Sequence, residues 1–444
     1  MASTWKFPPA FWVANVIELF ERAAYYGTFI ALALFLTDVV HFTDVEAGWI
    51  SGIFSSTLYL LPFATGAAAD RLGFRASLAV AFALLAVGYG TIGLMPFKAT
   101  VPIGLALVCL GGAFVKPIIA GTVSLSSDVN NRARAFSLFY MMVNIGSFSG
   151  KTIAKPVRAE LGLEYVPLYS AGAAVIALVL VLLFYRPSAS KPVGKPLSET
   201  LRDFKIVFTN GRFMALILIT SGYWAIQGQM YASMPKYVLR MIGEGASPEW
   251  YANVNPAMVV LFVVPVTQLV KRWRASSAIM TSLVIVPCSA LIMAFSNRPG
   301  AAPIFGLHPL TVMMVLGIAM QGLAECFLEP RYLEYASKLA PPGQEGLYMG
   351  YCHLNTWFAW LFGFIASGYL LQAFCPDPKS LPAEAQAQRV TALAGNGPMP
   401  AEYLHAHYLW FAFAGVGFTA LLLMMVLRST EKPEPVAQPE AVKA

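Results

Sequence analysis

The sequence predicts an all-α polytopic membrane protein with twelve transmembrane helices in two six-helix bundles. Hydrophobic residues make up 57% of the 444 residues and charged residues only 12%, whereas soluble domains carry about 25% charged residues. Apolar runs of roughly 20 residues, the length that crosses a bilayer, recur along the chain. The longest polar stretch between them, residues 186–212, has six runs on each side.

Each of the twelve runs is predicted to form one spanning helix. The first run begins too late and is too long for a cleaved signal peptide, so it should itself direct the chain to the membrane. The predicted spans cover residues 12–37, 48–69, 76–96, 101–123, 134–156, 166–185, 213–236, 250–270, 276–296, 308–330, 346–373 and 404–428.

The spans define two bundles and several polar segments. Residues 1–185 are the N-terminal six-helix bundle, 186–212 a cytoplasmic linker and 213–428 the C-terminal six-helix bundle. Residues 429–444 have the Pro- and Glu-rich composition of a disordered cytoplasmic tail. Residues 375–402, rich in Ala, Pro and Gln, are expected to form a flexible loop without chemistry.

Basic residues concentrate in alternate loops between the predicted spans. Because Lys and Arg accumulate in cytoplasmic loops, this bias places both termini in the cytoplasm and the protein in the cell (inner) membrane. The formal net charge of +7 therefore reflects topology and gives no reason to expect a nucleic-acid partner. The residues that set the bias are Arg71, Arg75, Arg132, Arg134, Arg186, Lys191, Lys195, Arg202, Lys205, Arg212, Lys271, Arg272 and Arg274.

The sequence gives no indication of an enzyme or of a bound cofactor or metal. Its five cysteines show no CxxC spacing, which argues against a disulfide framework or a metal site. GxSxG, HExxH and phosphate-binding glycine loops are absent, and the five histidines are not grouped with acids as metal ligands. A membrane-embedded enzyme or sensor is therefore disfavoured. Separately, we expect a monomer in the lipid bilayer.

Several ionisable residues nevertheless lie inside the predicted spans. A charge at the bilayer centre costs roughly 2.5–3.5 kcal/mol on insertion scales, so these residues imply pairing, water or function. In span one, Glu18, Arg22 and Tyr25 repeat at helical spacing with Glu21 and Tyr26 beside them, so one face carries acid, base and phenol. The other candidates are Lys116, Lys151, Glu325, Glu329, Arg331 and Glu334.

Two interpretations of the charged face of span one remain open. An internal Glu–Arg pair would only lock the bundle. Two acids compete for one base, however, which leaves a carboxylate to take up a proton or to meet Lys116. Lys116 and Glu325 both lie deep in their spans, so we hypothesise an ion pair between them that joins the two bundles until the Glu is protonated.

The turn after span two, GAAADRLGFR, has the spacing G-x3-D-R-x-G-x-R. Its Asp70 is predicted to cap a helix end and to pair with Arg71 or Arg75, while Gly66 and Gly73 permit a close approach and a tight turn. This pattern resembles the loop signature of the major facilitator superfamily, whose two bundles rock around a central site. We interpret the turn as a gating hinge and not as a substrate site.

Six further stretches resemble the proton-coupled oligopeptide transporter family of that superfamily, of which the chain is identified as a divergent member. ELFERAAYYG, starting at Glu18, resembles the family element E-x-x-E-R-x-x-Y-Y-G, and FYMMVNIGS, starting at Phe139, resembles F-Y-x-x-[IV]-N-x-G-S. The others are VKP at 115–117, YWAIQGQ at 223–229, NPAMVVLFVVP at 255–265 and AECFLEPRYLEYASKLAP at 324–341.

The resemblance implies roles for the matching residues, each of which has an alternative as a helix-packing residue. Arg22 and Lys116 would meet the carboxylate of a peptide and Glu325 its amino group. The Tyr residues would line the cavity, the Asn residues would hydrogen-bond the peptide backbone, and Trp224 would form an apolar wall. The implied proton-coupling residues are Glu18, Glu21, Arg22, Lys116 and Glu325. The implied substrate-binding residues are Arg22, Tyr25, Tyr26, Tyr59, Lys116, Asn144, Trp224, Asn255 and Glu325.

Some positions depart from the family pattern. Phe29 and Gly228 stand where family members place an Arg in span one and an acid in span seven, so an external gate ion pair is missing. The joint loss is coherent, because losing one partner alone would strand a buried charge. Glu329 replaces the usual Ser and Cys352 a frequent Trp. We hypothesise that Glu329 and Lys151 supply substrate-binding charges in the cavity, with snorkelling of Lys151 to the outer interface as the alternative.

The predicted function is a proton-coupled symporter that imports di- or tripeptides or peptide-like small molecules by alternating access. Protons are the coupling ion, and no other cofactor is expected. The alternative is a major facilitator transporter for another small organic solute, such as a modified amino acid, an organic anion or a drug-like compound. A passive uniporter would require the acidic cluster to be silent.

Overall fold

A computed structural model describes residues 6–62, 65, 69, 72–128, 131–187, 197–295, 303–341 and 344–430. These ranges are predominantly helical. The capping and pairing predicted for Asp70 and Arg71, the close approach predicted for Gly66 and the tail beyond Thr430 lie outside the described residues. Gly73 is described, and its φ of +80° is the left-handed conformation expected of the predicted tight turn.

The N-terminal half contains six long helices, α1 to α6. Two of them, α1 and α5, end in a π-helical turn, Phe35–Val39 and Val157–Leu161. The helices are α1 Pro9–Leu34, α2 Asp44–Leu60, α3 Phe74–Leu94, α4 Thr100–Leu125, α5 Arg132–Pro156 and α6 Tyr165–Leu183.

The C-terminal half contains six further long helices, of which α7, α8 and α11 are interrupted. The uninterrupted helices are α9 Ala275–Ala294, α10 Pro309–Leu339 and α12 Tyr408–Ser429. The interrupted helices are α7 Gly211–Gln227 with Gln229–Ala232 and Met234–Ile242, α8 Pro248–Tyr251 with Val254–Val270, and α11 Glu345–Tyr351 with Leu354–Phe374.

Most of these helices have the length and composition of membrane spans. Within the described ranges, nine helices qualify, and the bent pair formed by residues 202–209 and 211–232 raises the number to ten. The two remaining helices are α2, which runs into a gap in the description, and α5, which carries Arg132, Lys151 and Lys155. The chain is therefore an integral multi-pass membrane protein.

Residues 375–402 differ from the structureless loop that their composition predicts. They contain the helix Ala383–Leu393 between two short 3₁₀ turns. Arg389 on this helix donates hydrogen bonds to the backbone oxygens of Leu239 (3.1 Å) and Arg240 (2.9 Å). These carbonyls lie in the last turn of α7, where that of Leu239 also accepts a hydrogen bond from the backbone N–H of Gly243, so the loop helix adds donors at the C-terminal end of α7.

The polar linker also contains a helix, Leu197–Thr209. Its Phe204 packs against Tyr351 of α11, with ring centroids 4.8 Å apart in an edge-on arrangement. The linker is thereby attached to the C-terminal half close to Gly350 and His353, two residues of the cavity described below.

Two glycines bring α1 and α5 into close contact. A Cβ atom at Gly146 would lie 2.6 Å from the carbonyl oxygen of Leu19, and one at Gly150 would overlap the carbonyl of Ala23. No side chain other than that of glycine fits these positions without moving a helix. This contact fixes the rotation of α1 and therefore the direction in which Glu18 and Arg22 point.

Candidate functional site

A cavity of about 920 Å³ lies between the two halves. Ligand pockets are typically about 300–1,000 Å³, so its volume suits a small peptide or a drug-sized molecule. The charged residues that line it are Glu18, Arg22, Lys116 and Lys151 from the N-terminal half, and Glu325 and Glu329 from the C-terminal half. Other lining residues include Tyr26, Tyr59, Tyr140, Asn144, Trp224, Gln227, Tyr231, Asn255, His353 and Trp360.

Arg22 binds both acids of α1. Its Nε atom lies 3.2 Å from Oε1 of Glu18, and its guanidinium group is also hydrogen-bonded to Glu21. All three residues are buried, with exposed fractions of 1% for Glu18, 3% for Glu21 and 6% for Arg22. Oε2 of Glu18 has no hydrogen-bond partner among the described residues, so this carboxylate keeps a free acceptor for a proton or a ligand.

Lys116 projects into the cavity beside this cluster. Its Nζ atom lies 4.9 Å from the centroid of the Tyr59 ring, a cation–π contact. Pro117 follows it inside α4. The hypothesised ion pair with Glu325 is not formed in this conformation, because the described ion pairs of the cavity are those of Arg22 with the two acids of α1. The pair between Lys116 and Glu325 therefore stays a prediction for another conformation.

The C-terminal wall of the cavity carries two acids one helical turn apart on α10. Glu325 accepts a hydrogen bond of 3.2 Å from the side-chain amide of Asn255 on α8. Glu329 lines the cavity from the same helix. The basic residues that line the cavity all come from the N-terminal half. On the N-terminal wall three bases outnumber the acid Glu18, so the two walls offer opposite net charges to a ligand with separated ionic ends.

Lys151 is buried in the cavity wall and does not extend to an outer interface. It is 1% exposed, and its Nζ atom donates a 3.2 Å hydrogen bond to the backbone oxygen of Ala252 in the opposite half. The same atom lies 5.6 Å from the centroid of the Tyr26 ring. Lys151 is therefore buried and does not reach the protein surface as snorkelling would require, while its role as a substrate-binding charge stays a prediction.

The structure places the other implied substrate-binding residues in two locations. The side-chain amide of Asn144 donates to the backbone oxygen of Tyr140 at 2.8 Å, which leaves its oxygen for a ligand. Tyr25 and Glu21 line a small adjoining space and not the main cavity. The charged face of α1 extends beyond the part of the helix that lines the cavity. Those that line the cavity are Tyr26, Tyr59, Asn144, Trp224 and Asn255.

Buried ion pairs fasten the two halves together at one end of the cavity. This end, where α1 and α7 finish and α2 and α8 begin, is called the latched end below. Asp44 on α2 lies 2.9 Å from Nζ of Lys236 and 2.9 Å from Nη1 of Arg240 on α7. Arg158, beyond α5, pairs with Glu249 on α8 at 2.5 Å. All five side chains are at most 6% exposed.

Further hydrogen bonds cross between the halves at the latched end. Lys379 donates to the backbone oxygen of Asp38 at 3.0 Å, and the indole of Trp49 donates to the hydroxyl of Tyr369 at 3.4 Å. The described ion pairs that join the two halves all belong to this end. The protein is therefore closed at the latched end.

The ion pairs of the latched end were not predicted, although the sequence contains one pattern that points to them. Lys236 and Arg240 are four residues apart, so they share a face of a helix, and both fall at or beyond the predicted end of span seven. Asp44 likewise precedes the predicted start of span two. Charges at span edges are usually exposed, and nothing in the sequence indicates that these three are buried together.

A family model described as Major Facilitator Superfamily matches residues 15–302 of the chain. The relative named Multidrug resistance protein MdtH, from Aeromonas hydrophila subsp. hydrophila, is 25% identical over 343 residues, which are 74% of this chain and 81% of the relative. The relative named Dipeptide and tripeptide permease A, from Edwardsiella piscicida, is 23% identical over 344 residues, which are 76% of this chain and 66% of the relative.

The fold is similar to that of solved transporters. A crystal structure of a peptide transporter, described as POT in complex with sulfate, superposes with a TM-score of 0.72 and 18% sequence identity, over 95% of this chain and 94% of that chain. Together with the family match, this similarity confirms the predicted fold class of twelve helices in two six-helix bundles.

Proposed function

The chain belongs to the major facilitator superfamily, whose members are transporters and not enzymes, and we propose that it is a proton-coupled symporter for di- or tripeptides or peptide-like small molecules. It would import its substrate by alternating access, with the two halves rocking around the central cavity. The similarity to proteins named as peptide permeases and peptide transporters supports this choice within the superfamily.

The observation that carries the proposal is the separation of charge across the cavity. Arg22, Lys116 and Lys151 line one half together with the acid Glu18, which pairs with Arg22, whereas Glu325 and Glu329 line the other half. A peptide with free termini is a zwitterion, so its carboxylate would bind on the N-terminal wall and its ammonium group on the C-terminal wall. The amide groups of Asn144 and Asn255, which line the cavity, would hydrogen-bond the peptide backbone.

Proton coupling would use the acids that share this cavity. Arg22 is shared between Glu18 and Glu21, so a proton on one acid would leave the other still paired with the guanidinium group. A proton on Glu325 would weaken the hydrogen bond that it accepts from Asn255 and would remove a charge from the C-terminal wall. Either event changes the attraction between the walls, as a symporter requires.

The latched end would face the outside, and the linker and both termini the cytoplasm of the inner membrane. Arg158, Lys236 and Arg240 lie at the latched end, where unpaired basic residues would oppose this orientation. All three are ion-paired with buried acids. Their charges are therefore balanced locally.

We further propose that the monomer is the functional unit.

Uptake into proteoliposomes tests the proposal. A panel of di- and tripeptides is offered without a pH gradient, with the inside of the liposomes more acidic, and with the outside more acidic. We expect accumulation only when the outside is more acidic. If no peptide accumulates, the substrate assignment is wrong; if accumulation ignores the gradient, the coupling assignment is wrong.

Variants separate coupling residues from structural ones. Glu325→Gln and Lys116→Ala should abolish gradient-driven uptake, while Glu325→Gln should retain exchange of labelled for unlabelled peptide. Glu334→Gln is the matched control, because Glu334 lies on the same helix but pairs with Arg331 and Lys338 away from the cavity. Lys98→Ala is the control for lysine, since Lys98 is half exposed and pairs with Glu46. Both controls should keep driven uptake.

A second candidate is a transporter of another small organic solute. The similarity to a protein named for multidrug resistance favours it, as do Phe29 and Gly228, which replace a charged pair by uncharged residues. A competition binding experiment separates the two candidates. If the protein transports another organic solute, amphipathic organic cations and anions would inhibit binding of a reporter ligand, whereas dipeptides would not.

A further inference from the structure

Four aromatic rings meet where the two halves approach each other at the latched end of the cavity. Phe29 of α1 stacks on Trp360 of α11, with ring centroids 5.3 Å apart and an interplanar angle of 23°. It also stacks on Phe364 of α11 at 5.9 Å and contacts Tyr231 of α7 at 4.7 Å. These distances lie in the range of favourable ring pairs. One residue of the N-terminal half thus inserts between three of the C-terminal half.

The ring cluster forms the floor of the cavity. Tyr231 and Trp360 line the cavity, and Phe29 lies behind them and is 2% exposed. Tyr25 also stacks on Phe29, with ring centroids 5.1 Å apart, so the cluster continues into the charged helix α1. A substrate leaving the cavity toward the latched end would have to separate these rings.

Gly228 makes room for this packing. A Cβ atom at position 228 would lie 3.2 Å from Cδ1 of Trp360 and 3.2 Å from Cε2 of Phe364, closer than ordinary van der Waals contact. The added atom would also lie 3.1 Å from the backbone oxygen of Trp224, so both rings would have to shift from the positions in which they pack on Phe29. Phe29 and Gly228 therefore both contact Trp360 and Phe364, and the ring at position 29 packs well because position 228 has no side chain. The two residues are coupled by packing and not by complementary charges.

Packing, and not polar bonding, holds Trp360 in place. Its indole Nε1 has no hydrogen-bond partner among the described residues, although the side chain is 4% exposed. A buried N–H group without a partner is unfavourable, so the ring contacts must outweigh that cost. Opening of the cluster would let this N–H group reach water.

We propose that Phe29, Tyr231, Trp360 and Phe364 form an inner gate of the transport pathway, closed by ring packing, and that Gly228 positions its rings. The gate rests on the alternating access proposed above, but it does not depend on the substrate or on proton coupling. Because the rings carry no charge, closure of this layer is insensitive to salt. The ionic latch of Asp44, Lys236 and Arg240 lies as a separate layer at the same end.

The test is a distance measurement between the two halves in lipid nanodiscs. Spin labels are attached to cysteines introduced at Lys98 and Val390, two exposed positions at the latched end on opposite halves, in a chain whose five native cysteines are replaced. Pulsed electron paramagnetic resonance then gives the ratio of open to closed protein. Phe29→Ala, Phe29→Leu and Gly228→Val are compared with Phe82→Ala, which removes an equally buried ring of α3 away from the cavity.

We expect Phe29→Ala to raise the open-to-closed ratio about tenfold, because several ring contacts are lost together. Gly228→Val should raise it as well, and Phe82→Ala should leave it unchanged. Phe29→Leu, which keeps an apolar contact, should raise it less and serves as the test if Phe29→Ala does not fold. The ratio of the variant value to the parent value should be the same at about 0.05 M and about 0.5 M salt.

The proposal is overturned if the Phe29 variants and Phe82→Ala give the same ratio, or if the effect of the Phe29 variants disappears at high salt. Failure of peptide uptake in proteoliposomes would contradict the proposed function but would not change these distances. The two conclusions can therefore fail separately.

Discussion

Asp44 and Arg240 form a buried ion pair across the interface between the two halves, with Oδ2 and Nη1 2.9 Å apart and side chains 2% and 6% exposed. Arg240 also donates to Oδ1 of Asp44 and to the backbone oxygen of Cys375. Lys236 binds the same carboxylate. One acid thus binds two buried cations at the closed end of the protein.

Replacing Asp44 by Asn should destabilise the closed conformation strongly. Lys236 and Arg240 would keep their charges without a full counterion, and leaving a buried charge uncompensated costs about 3–5 kcal/mol. We expect a lower midpoint of thermal unfolding in detergent and a shift toward protein that is open at the latched end. Glu46→Gln is the control, because Glu46 is exposed and its pair with Lys98 contributes about 0–1 kcal/mol. Equal midpoints for the two variants would refute the role of Asp44.

The second ion pair of the latch allows a comparison around a single arginine. Arg158 contacts Glu249, whose side chain is 1% exposed, and Glu244, whose side chain is 80% exposed. Glu249→Gln should lower the free energy of unfolding by about 1.5–3 kcal/mol, the value of a buried charged hydrogen bond. Glu244→Gln should change it by less than about 1 kcal/mol, because water screens that pair. Chemical denaturation measures both, and a larger loss for Glu244→Gln would contradict the assigned burial.

Gly150→Ala should disrupt the contact between α1 and α5. The added methyl group would overlap the carbonyl of Ala23, and overpacking of this kind costs about 1–3 kcal/mol. The charged face of α1 would also turn away from the cavity, so driven uptake should fall. Gly172→Ala is the matched control, since nothing lies within 4 Å of its added Cβ atom. That variant should be neutral or stabilised by up to about 1 kcal/mol. Thermal unfolding and uptake are measured together.

Lys151→Met should weaken binding of substrates that carry a carboxylate. Methionine keeps the apolar stem and removes the ammonium group, so a contact worth about 1.5–3 kcal/mol, or roughly tenfold to a hundredfold in affinity, is lost. A peptide with an amidated C-terminus should bind equally well to both proteins. Lys155→Met is the control, because Lys155 lies one turn further along α5 and bonds the backbone of Ala246 outside the cavity. Equal losses for free and amidated peptides would show that Lys151 has a structural role only.

Hydropathy and helical spacing were sufficient to predict the spans and the charged face of α1. The energy of burying a charge in a bilayer is large, so the sequence alone was enough to select Glu18, Arg22, Lys116 and Glu325. All four line one cavity. Their interaction partners could not be predicted, because pairing depends on the conformation that the halves adopt. Arg22 pairs with both acids of α1, and Asn255 donates a hydrogen bond to Glu325.

Contacts between residues that are distant in sequence were the part that could not be predicted. Asp44 and Arg240 are 196 positions apart, and neither carries a local signal of the other. Similarly, the sequence marked Phe29 only as a departure from the family pattern, and its packing against Trp360 follows from the arrangement of α1 and α11. The helix 383–393 was missed because its composition is polar and its stability comes from docking on α7.

The charges around the cavity also determine which step of the cycle responds to membrane voltage. Glu18, Glu21, Glu325 and Glu329 are four acids, and Arg22, Lys116 and Lys151 are three bases, so among the described residues the fully ionised set carries one negative charge. One proton makes the set neutral, and a bound zwitterion leaves it neutral. If one proton accompanies each zwitterionic substrate, as proposed, the membrane field, worth about 2.3 kcal/mol per charge per 100 mV, would act on the return of the empty carrier, while the loaded carrier would cross as an electrically silent unit.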